Sequence, residues 1–335
     1  MAPVVERVRP GVWSIPVIIP NNPLGWTLVY LIESDRGPVL VDTGWHDPLA
    51  WDGLVEGIAA AGHDVTTTYG VLVTHHHPDH HGLSGNVQEA SGAWIAMHEA
   101  DAEVVTRARD TDHGWILQTA AVLLAAGAGE DVFEQLPDPD ILAASKPPRP
   151  ALPNRLIGDG QLADVPGWDV RSVWTPGHTP GHVCFVMEQD RLLLSGDHLL
   201  PEITPHIGLY REDDSADPLG DYLRSLERLE ALDIDEVLPA HQHRFHGHRA
   251  RARAIAEHHA VRFDAIRHTL RDGPATAWTI TAAMPWNRAW DEIHPMMKRA
   301  ALSEALAHVR HMEREGTVQQ LPGSNPLTYQ LVAAA

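Results

Sequence analysis

The run Thr74-His75-His76-His77-Pro78-Asp79-His80-His81-Gly82 constrains this chain more than any other stretch. It follows Val71-Leu72-Val73, an apolar run with the pattern of a buried strand closed by polar punctuation. Between His75 and His81, five imidazoles and one carboxylate surround a single proline. Neutral nitrogen donors at that density, with one oxygen donor, suit zinc or another borderline divalent metal. A loop of surface histidines would explain the composition; the spacing HxHxDH is far more specific than a lone HxH. In a strand–loop–helix layout His75 and His77 address one position from an extended loop. Asp79 and His80 address a second from the helix entry, and Pro78 stiffens the backbone between the pairs.

The rest of the composition is that of a globular protein. At 335 residues, 44% hydrophobic and 21% charged, the chain can form one large domain or a main domain with a small one. Asp plus Glu number 45 against 25 Lys plus Arg, a net charge of −20 that disfavours polyanionic partners for the chain as a whole. The excess is uneven. Residues 241–335 hold twelve Lys plus Arg and eight Asp plus Glu, which leaves thirteen and thirty-seven for the first 240. A surplus of four reads better as an Arg-rich helical surface than as a nucleic-acid-binding tail, and only Lys146 and Lys298 are lysines.

The single cysteine, Cys184, sits in the apolar run His182 to Met187, so a buried thiol, no intrachain disulfide and a cytoplasmic setting are expected. Met1 to Arg7 lacks the apolar core of a signal peptide, and the longest apolar candidate, Ile116 to Gly129, is interrupted by Gln118 and Thr119. A soluble protein without a membrane partner is expected.

Along the chain, Val12 to Ile19, Trp26 to Ile32 and Val39 to Val41 read as strands separated by Pro, Asn and Gly turns, the third ending in Asp42-Thr43-Gly44. That aspartate is either strand-end chemistry or an ordinary turn residue. A helix is expected from Pro48 to Ala61, stopped at Gly62, then the strand Tyr69 to Val73, a helix Gly82 to Ala90 and a strand Ala93 to Met97. Residues 98–153 read as a helical insertion, Glu99 to Leu136, followed by a connector with six prolines between Pro137 and Pro153. It is a lid or pocket wall, or a plain structural excursion. Strand Val170 to Trp174 leads into Thr175-Pro176-Gly177-His178-Thr179-Pro180-Gly181-His182, where His178 is held between turns as a candidate ligand and His182 is expected to pack. Leu192 to Leu194 leads to Ser195-Gly196-Asp197-His198, and Val237 to Ala240 to His241-Gln242-His243.

These five ordered motifs resemble the metallo-β-lactamase superfamily, in its glyoxalase II-like hydrolase branch, over residues 10–245. The resemblance implies an α+β fold, a four-layer αββα sandwich with a binuclear site along one edge. By position, His75, His77 and His178 would hold one metal, Asp79, His80 and His241 a second, and Asp197 would bridge them. Asp42 would support the ligand loop, and His76, His81, His198 and His243 receive no ligand role. The cofactors implied are two divalent ions, zinc first, with iron or manganese as alternatives. They would hold a hydroxide at neutral pH, with Asp79 as the catalytic residue that orients it. No Ser, Cys or Lys nucleophile is required.

In the C-terminal third, helices are expected at His248 to Leu270, Ala275 to Met284 and Lys298 to Glu313, the last with apolar positions Ala301, Leu302, Ala305, Val309 and Met312. Glu315 to Gln319 and Leu327 to Leu331 read as a hairpin. Three helices and a hairpin resemble the winged-helix module of some lactamase-like hydrolases, a mitochondrial endoribonuclease family among them. The expected division is a catalytic domain over 1–247 and a winged-helix-like domain over 248–335.

Two functions follow. One is a metallohydrolase acting on a small-molecule thioester, lactone or ester; the other is a metallonuclease that binds nucleic acid through the C-terminal module. Phosphate contacts call for clustered Lys and Arg, so the charge favours the first. A carboxylate replaces His77 in the diiron oxygen-reducing branch, which also carries a flavodoxin domain; iron-dependent sulfur dioxygenases share part of the motif. The Asp197 bridge position points away from a dedicated lactamase. A homodimer is compatible with the sequence. Substrate contacts are expected from the insertion and from Pro201 to Tyr210, where His206 or Tyr210 would face an oxyanion or leaving group, or serve structure alone.

Overall fold

The structure, a computed structural model, describes residues 3–110, 121–129, 132, 150–209 and 216–333. Strands β1 (Glu6–Arg9), β2 (Val12–Ile18), β3 (Trp26–Ile32), β4 (Val39–Val41), β5 (Gly70–Leu72), β6 (Trp94–Met97) and β7 (Arg155–Leu156) lie side by side in that order in a first sheet. A second sheet is formed by β8 (Val170–Trp174), β9 (Val183–Met187), β10 (Leu192–Gly196), β11 (Glu236–Pro239) and β12 (Phe245–His246).

The apolar strands explain the layering. On β3, Leu28, Tyr30 and Ile32 join a core with Phe185, Met187 and Leu194 of the second sheet. The alternate residues Val29 and Leu31 join a separate core with Leu54 and Ile58 of the helix Pro48–Ala60 and with Val87 and Val105 of the helices Ser84–Ser91 and Glu99–Asp110. A strand buried on both faces reads as a continuous apolar run, as Trp26 to Ile32 does. Helix Pro48–Ala60 starts where proline at its first position and the Asp47 carboxylate, accepting from Leu49 N at 2.8 Å, predict a start.

Pairing between β4 and β5, β5 and β6, and β10 and β11 is parallel, so the loops after β4, β5 and β10, β11 leave from common edges. Two backbone bonds tie the sheets together there: Val183 N–H donates to Thr74 O at 2.8 Å and Leu28 N–H to Ala240 O at 2.7 Å.

Several details differ from expectation, among them the expected helix Ala275 to Met284, whose first two residues form a strand so that the helix spans Ala277–Ala283. Pro78–His81 forms its own helical turn, closed by Gly82 N–H donating to Pro78 O, so the next helix begins at Ser84 rather than Gly82. The strand after Arg191 continues to Gly196 instead of stopping at Leu194. The helix Pro218–Glu230 is an addition to the expected elements, although Leu219, Tyr222, Leu226 and Leu229 follow a helical period and are all buried.

The chain packs as two compact units: residues 1–110, 148–205 and 225–252, and residues 111–147, 206–224 and 253–335. The second unit has its own core, in which Ile266, Ile280, Leu302, Val309 and Met312 pack with Leu123, Ala126, Val318 and Tyr329. It carries the helices Ala277–Ala283 and Pro295–Arg314 and a sheet in which β13 (Ala275–Thr276), β15 (Thr328–Leu331) and β14 (Val318–Gln320) follow in that order. All five apolar positions expected on its last helix are buried. Of the expected insertion, Glu99–Asp110 and 121–126 are helical; residues 111–120, 130–131 and 133–149, and Tyr210, lie outside the described residues.

Tight packing at β5 yields a stability prediction. A Cβ at Gly70 would lie 2.1 Å and 2.2 Å from two indole carbons of Trp94. That indole is held between Tyr69, edge-on at 5.7 Å, and the Arg155 guanidinium, 4.6 Å above the ring. Gly70→Ala is expected to cost about 1–3 kcal/mol through overpacking, read as a lower thermal midpoint, with partial recovery when Trp94→Phe is added.

Candidate metal centre

Each of the seven residues singled out as a ligand occupies a turn that follows a strand of the first unit. His75, His77, Asp79 and His80 follow β5, His178 follows β8, Asp197 follows β10 and His241 follows β11. The structure brings all seven together in three overlapping groups whose donor atoms lie within 4.8 Å of one another: His75, His77 and His178; His75, His80 and Asp197; and Asp79, His80 and His241.

In the first group, His77 Nδ1 lies 3.0 Å from both His75 Nε2 and His178 Nε2. In the other direction, Asp197 Oδ1 lies 3.4 Å from His80 Nε2 and 3.2 Å from His241 Nε2, while its Oδ2 lies 3.5 Å from His178 Nε2. One carboxylate therefore presents one oxygen to each cluster. Asp79 Oδ2 completes the second side at 3.4 Å from His241 Nε2 and 3.8 Å from His80 Nε2.

The far nitrogens of three of the rings are held by the protein. His75 Nδ1 meets Thr74 Oγ1 at 3.0 Å, His80 Nδ1 meets Asp42 Oδ2 at 2.8 Å, and His241 Nδ1 donates to Trp26 O at 3.0 Å. Such partners fix the tautomer and aim the remaining lone pair at a metal. Asp42, buried at the end of β4, also accepts from Thr74 N and Thr74 Oγ1 at 2.8 Å each, which anchors the start of the histidine loop. His182 packs as expected and adds a role: its Nδ1 bonds Thr175 Oγ1 at 2.8 Å, and its Nε2 accepts from Asp197 N–H at 3.2 Å.

The donor set fits divalent cations. His80 Nε2, His241 Nε2 and Asp197 Oδ1 are buried and make no hydrogen bond of proper geometry, although they converge to within 3.4 Å. Buried polar atoms without partners are costly, and a shared cation satisfies all three. The electrostatics agree. Burial opposes charge on His241, but the Asp197 carboxylate and contacts to Asp197 and Asp79 pull its pKa up to about 10. His80 is likewise buried, yet Asp197, Asp79 and Asp42 hold it well above the ordinary histidine value. This side of the site thus demands positive charge. On the other side, burial and neighbouring imidazoles keep His75 and His77 well below that value, as neutral donors.

Two of the histidines denied a ligand role, His76 and His81, have polar partners. His81 Nε2 donates to Ala151 O and its Nδ1 accepts from Ser84 Oγ, both at 2.8 Å. Burial, then His178, lowers His198 to about 3, so it stays neutral. His76 Nδ1 sits 3.1 Å from Asp101 Oδ2. Asp101 is not among the residues the sequence singles out. It is wholly buried at the start of the helix Glu99–Asp110, and nothing in His98-Glu99-Ala100-Asp101 distinguishes it from the acidic residues common in a first helical turn. His206 is engaged within the second unit, 3.1 Å from Ser303 Oγ and 3.6 Å from Glu304.

Comparison with known proteins agrees with this geometry. The sequence model of the Metallo-beta-lactamase superfamily matches residues 25–241, which include all seven residues. A crystal structure of a metallo-beta-lactamase family protein from Thermus thermophilus superposes with a TM-score of 0.79 at 31% identity, covering 97% of this chain and 100% of that one. A beta-lactamase domain protein from Burkholderia ambifaria gives 0.81 at 26% identity, with coverage of 98% and 94%. The lactamase-like protein vrtG of Penicillium aethiopicum is 26% identical over 79% of this chain and 67% of its own length. An atrochrysone carboxyl ACP thioesterase of Paecilomyces divaricatus is 34% identical over 31% of this chain and 30% of its own length. The chain spans about half to two thirds of the lengths of the first curated relatives it matches, 52% for the nscB protein of Neosartorya fischeri. With the family model matched over most of its length, and its candidate ligand turns brought together in one place, the chain belongs to the metallo-β-lactamase superfamily.

Proposed function

We propose that this protein is a dinuclear, zinc-dependent hydrolase of small-molecule thioesters, lactones or related esters, close in chemistry to the glyoxalase II-like branch. The observation that carries the reading is the Asp197 carboxylate, which faces His178 with one oxygen and His80 and His241 with the other. His75, His77 and His178 would hold one ion, Asp79, His80 and His241 the second, and Asp197 both. When bound, such ions acidify water and polarise a carbonyl as Lewis acids. The chain supplies orientation. Asp79 is mostly buried, but His80 and His241 outweigh that burial and lower its carboxyl to about 2, so it is ionised at neutral pH. It accepts a hydrogen bond from the attacking water and aligns it, while its weak basicity keeps it from retaining the proton.

The thioester class is supported by relatives named as acyl-carrier-protein thioesterases, one 34% identical over 104 residues and one 26% identical over 202. In the second unit and the helix His248–Arg271 leading into it, the order of helices and strands supports a winged-helix-like module, used here for packing rather than for nucleic acid. Among the described residues no helix is long and apolar enough to cross a membrane.

The test is a substrate panel of an acyl thioester, a lactone, an aryl ester and a bis-aryl phosphodiester, each assayed before and after chelation and after zinc readdition. Chelator-sensitive turnover of at least one acyl substrate, restored by zinc, is expected. Turnover confined to the phosphodiester, or acyl hydrolysis indifferent to chelation, would contradict the proposal.

A further inference from the structure

We propose that Asp101 is the positioning carboxylate of the His75, His77 and His178 group, the counterpart on that side of what Asp42 does for His80; this rests on the dinuclear reading above. Asp101 has no solvent exposure and gathers both ligand turns onto its two oxygens. Oδ2 accepts from the backbone N–H of His76 at 2.9 Å, the residue between two of the three histidines. The same oxygen accepts from Thr179 Oγ1 at 2.8 Å, the residue directly after the third. Oδ1 accepts from Gly181 N–H at 2.7 Å.

That last contact explains why glycine stands at 181. A Cβ there would lie 2.5 Å from Asp101 N and 2.7 Å from Asp101 Cβ, so any side chain would push the turn off the carboxylate. The geometry is divided between two acids. Asp42 bonds Thr74 and His80, at the start of the loop and at the helix entry. Asp101 bonds the His76 and His178 turns instead. A carboxylate already shared among three good donors holds two separate loops at a fixed spacing, which sets the distance between His77 Nδ1 and His178 Nε2 before any ion arrives.

The readout is the affinity of each ion separately. Zinc binding is measured by competition with a chromophoric chelator, and the cobalt(II) form by its visible absorption, for the full-length wild-type protein and for Asp101→Ala, Asp101→Asn and Thr179→Val. Loss of a partner that orients metal ligands weakens binding by about 10–100-fold. Asp101→Ala is expected to lose that factor at one ion only, keeping the other at wild-type affinity, with Asp101→Asn partly rescued. Thr179→Val, which removes one donor and preserves volume, is expected to show a smaller loss at the same ion and decides the matter if Asp101→Ala does not fold. Equal weakening of both ions, the signature of a merely structural residue, overturns the assignment, as does unchanged affinity in all variants. A wild-type protein that binds no divalent ion removes the dinuclear reading and this assignment together; two ions in the wild type with an unselective Asp101 effect removes this assignment alone.

Discussion

Asp197→Asn is expected to lower acyl hydrolysis by about three orders of magnitude or more, because in the proposed dinuclear centre acidified water at neutral pH would depend on both cations being held. The carboxylate stands between two donor groups, 3.2 Å from His241 Nε2, 3.4 Å from His80 Nε2 and 3.5 Å from His178 Nε2. An amide is isosteric, keeps one acceptor and turns the other atom into a donor that faces ring nitrogens. It also withdraws the negative charge that lies between the clusters. Metal content should fall with activity, and an unchanged far-ultraviolet circular dichroism spectrum would separate this from unfolding. A variant that keeps both ions and most of its turnover would show that Asp197 does not bridge.

Asp42→Ala has the largest expected cost in stability. Its carboxylate accepts from Thr74 N, Thr74 Oγ1 and His80 Nδ1, each at 2.8 Å, and is 2% exposed. Removing one side of a buried charged contact leaves donors that water cannot reach, a loss of about 3–5 kcal/mol. Alanine is further disfavoured because residue 42 has φ +63°, a left-handed conformation that Asp and Asn adopt more readily. Asp42→Asn should therefore lose distinctly less, since it tolerates the backbone and still accepts from Thr74. Thermal unfolding of the metal-free proteins checks the order wild type, Asn, Ala; an alanine variant as stable as wild type would contradict it.

Much of this is legible in the sequence because strand-end ligands leave a local mark. HxHxDH after Val71-Leu72-Val73, and single His or Asp residues after the apolar runs of β8, β10 and β11, put each candidate ligand beside a strong strand signal. The central strands are buried on both faces, so their apolar runs stand out. What stays hidden is long-range or weakly patterned. The partnership of Asp101 with Thr179 and Gly181 spans about eighty residues and depends on where two loops meet, not on any local spacing. Two-residue strands such as Arg155–Leu156 and Phe245–His246 are too short to show a period. The helix Pro218–Glu230 does carry a signal, in Leu219, Tyr222, Leu226 and Leu229, beside more conspicuous motifs. Expected substrate contacts at His206 and Tyr210 gain no support: His206 is bonded to Ser303, and Tyr210 lies outside the described residues.

In the proposed centre, seven residues from four turns hold two ions. Elemental analysis of the purified full-length chain, after exhaustive dialysis against metal-free buffer and again after zinc loading, tests it most directly. About two tightly held divalent ions per chain are expected after loading, with a lower content for His77→Ala together with lost hydrolysis. Less than one ion per loaded chain, or a His77→Ala variant that keeps both its metal and its hydrolytic activity, would contradict it.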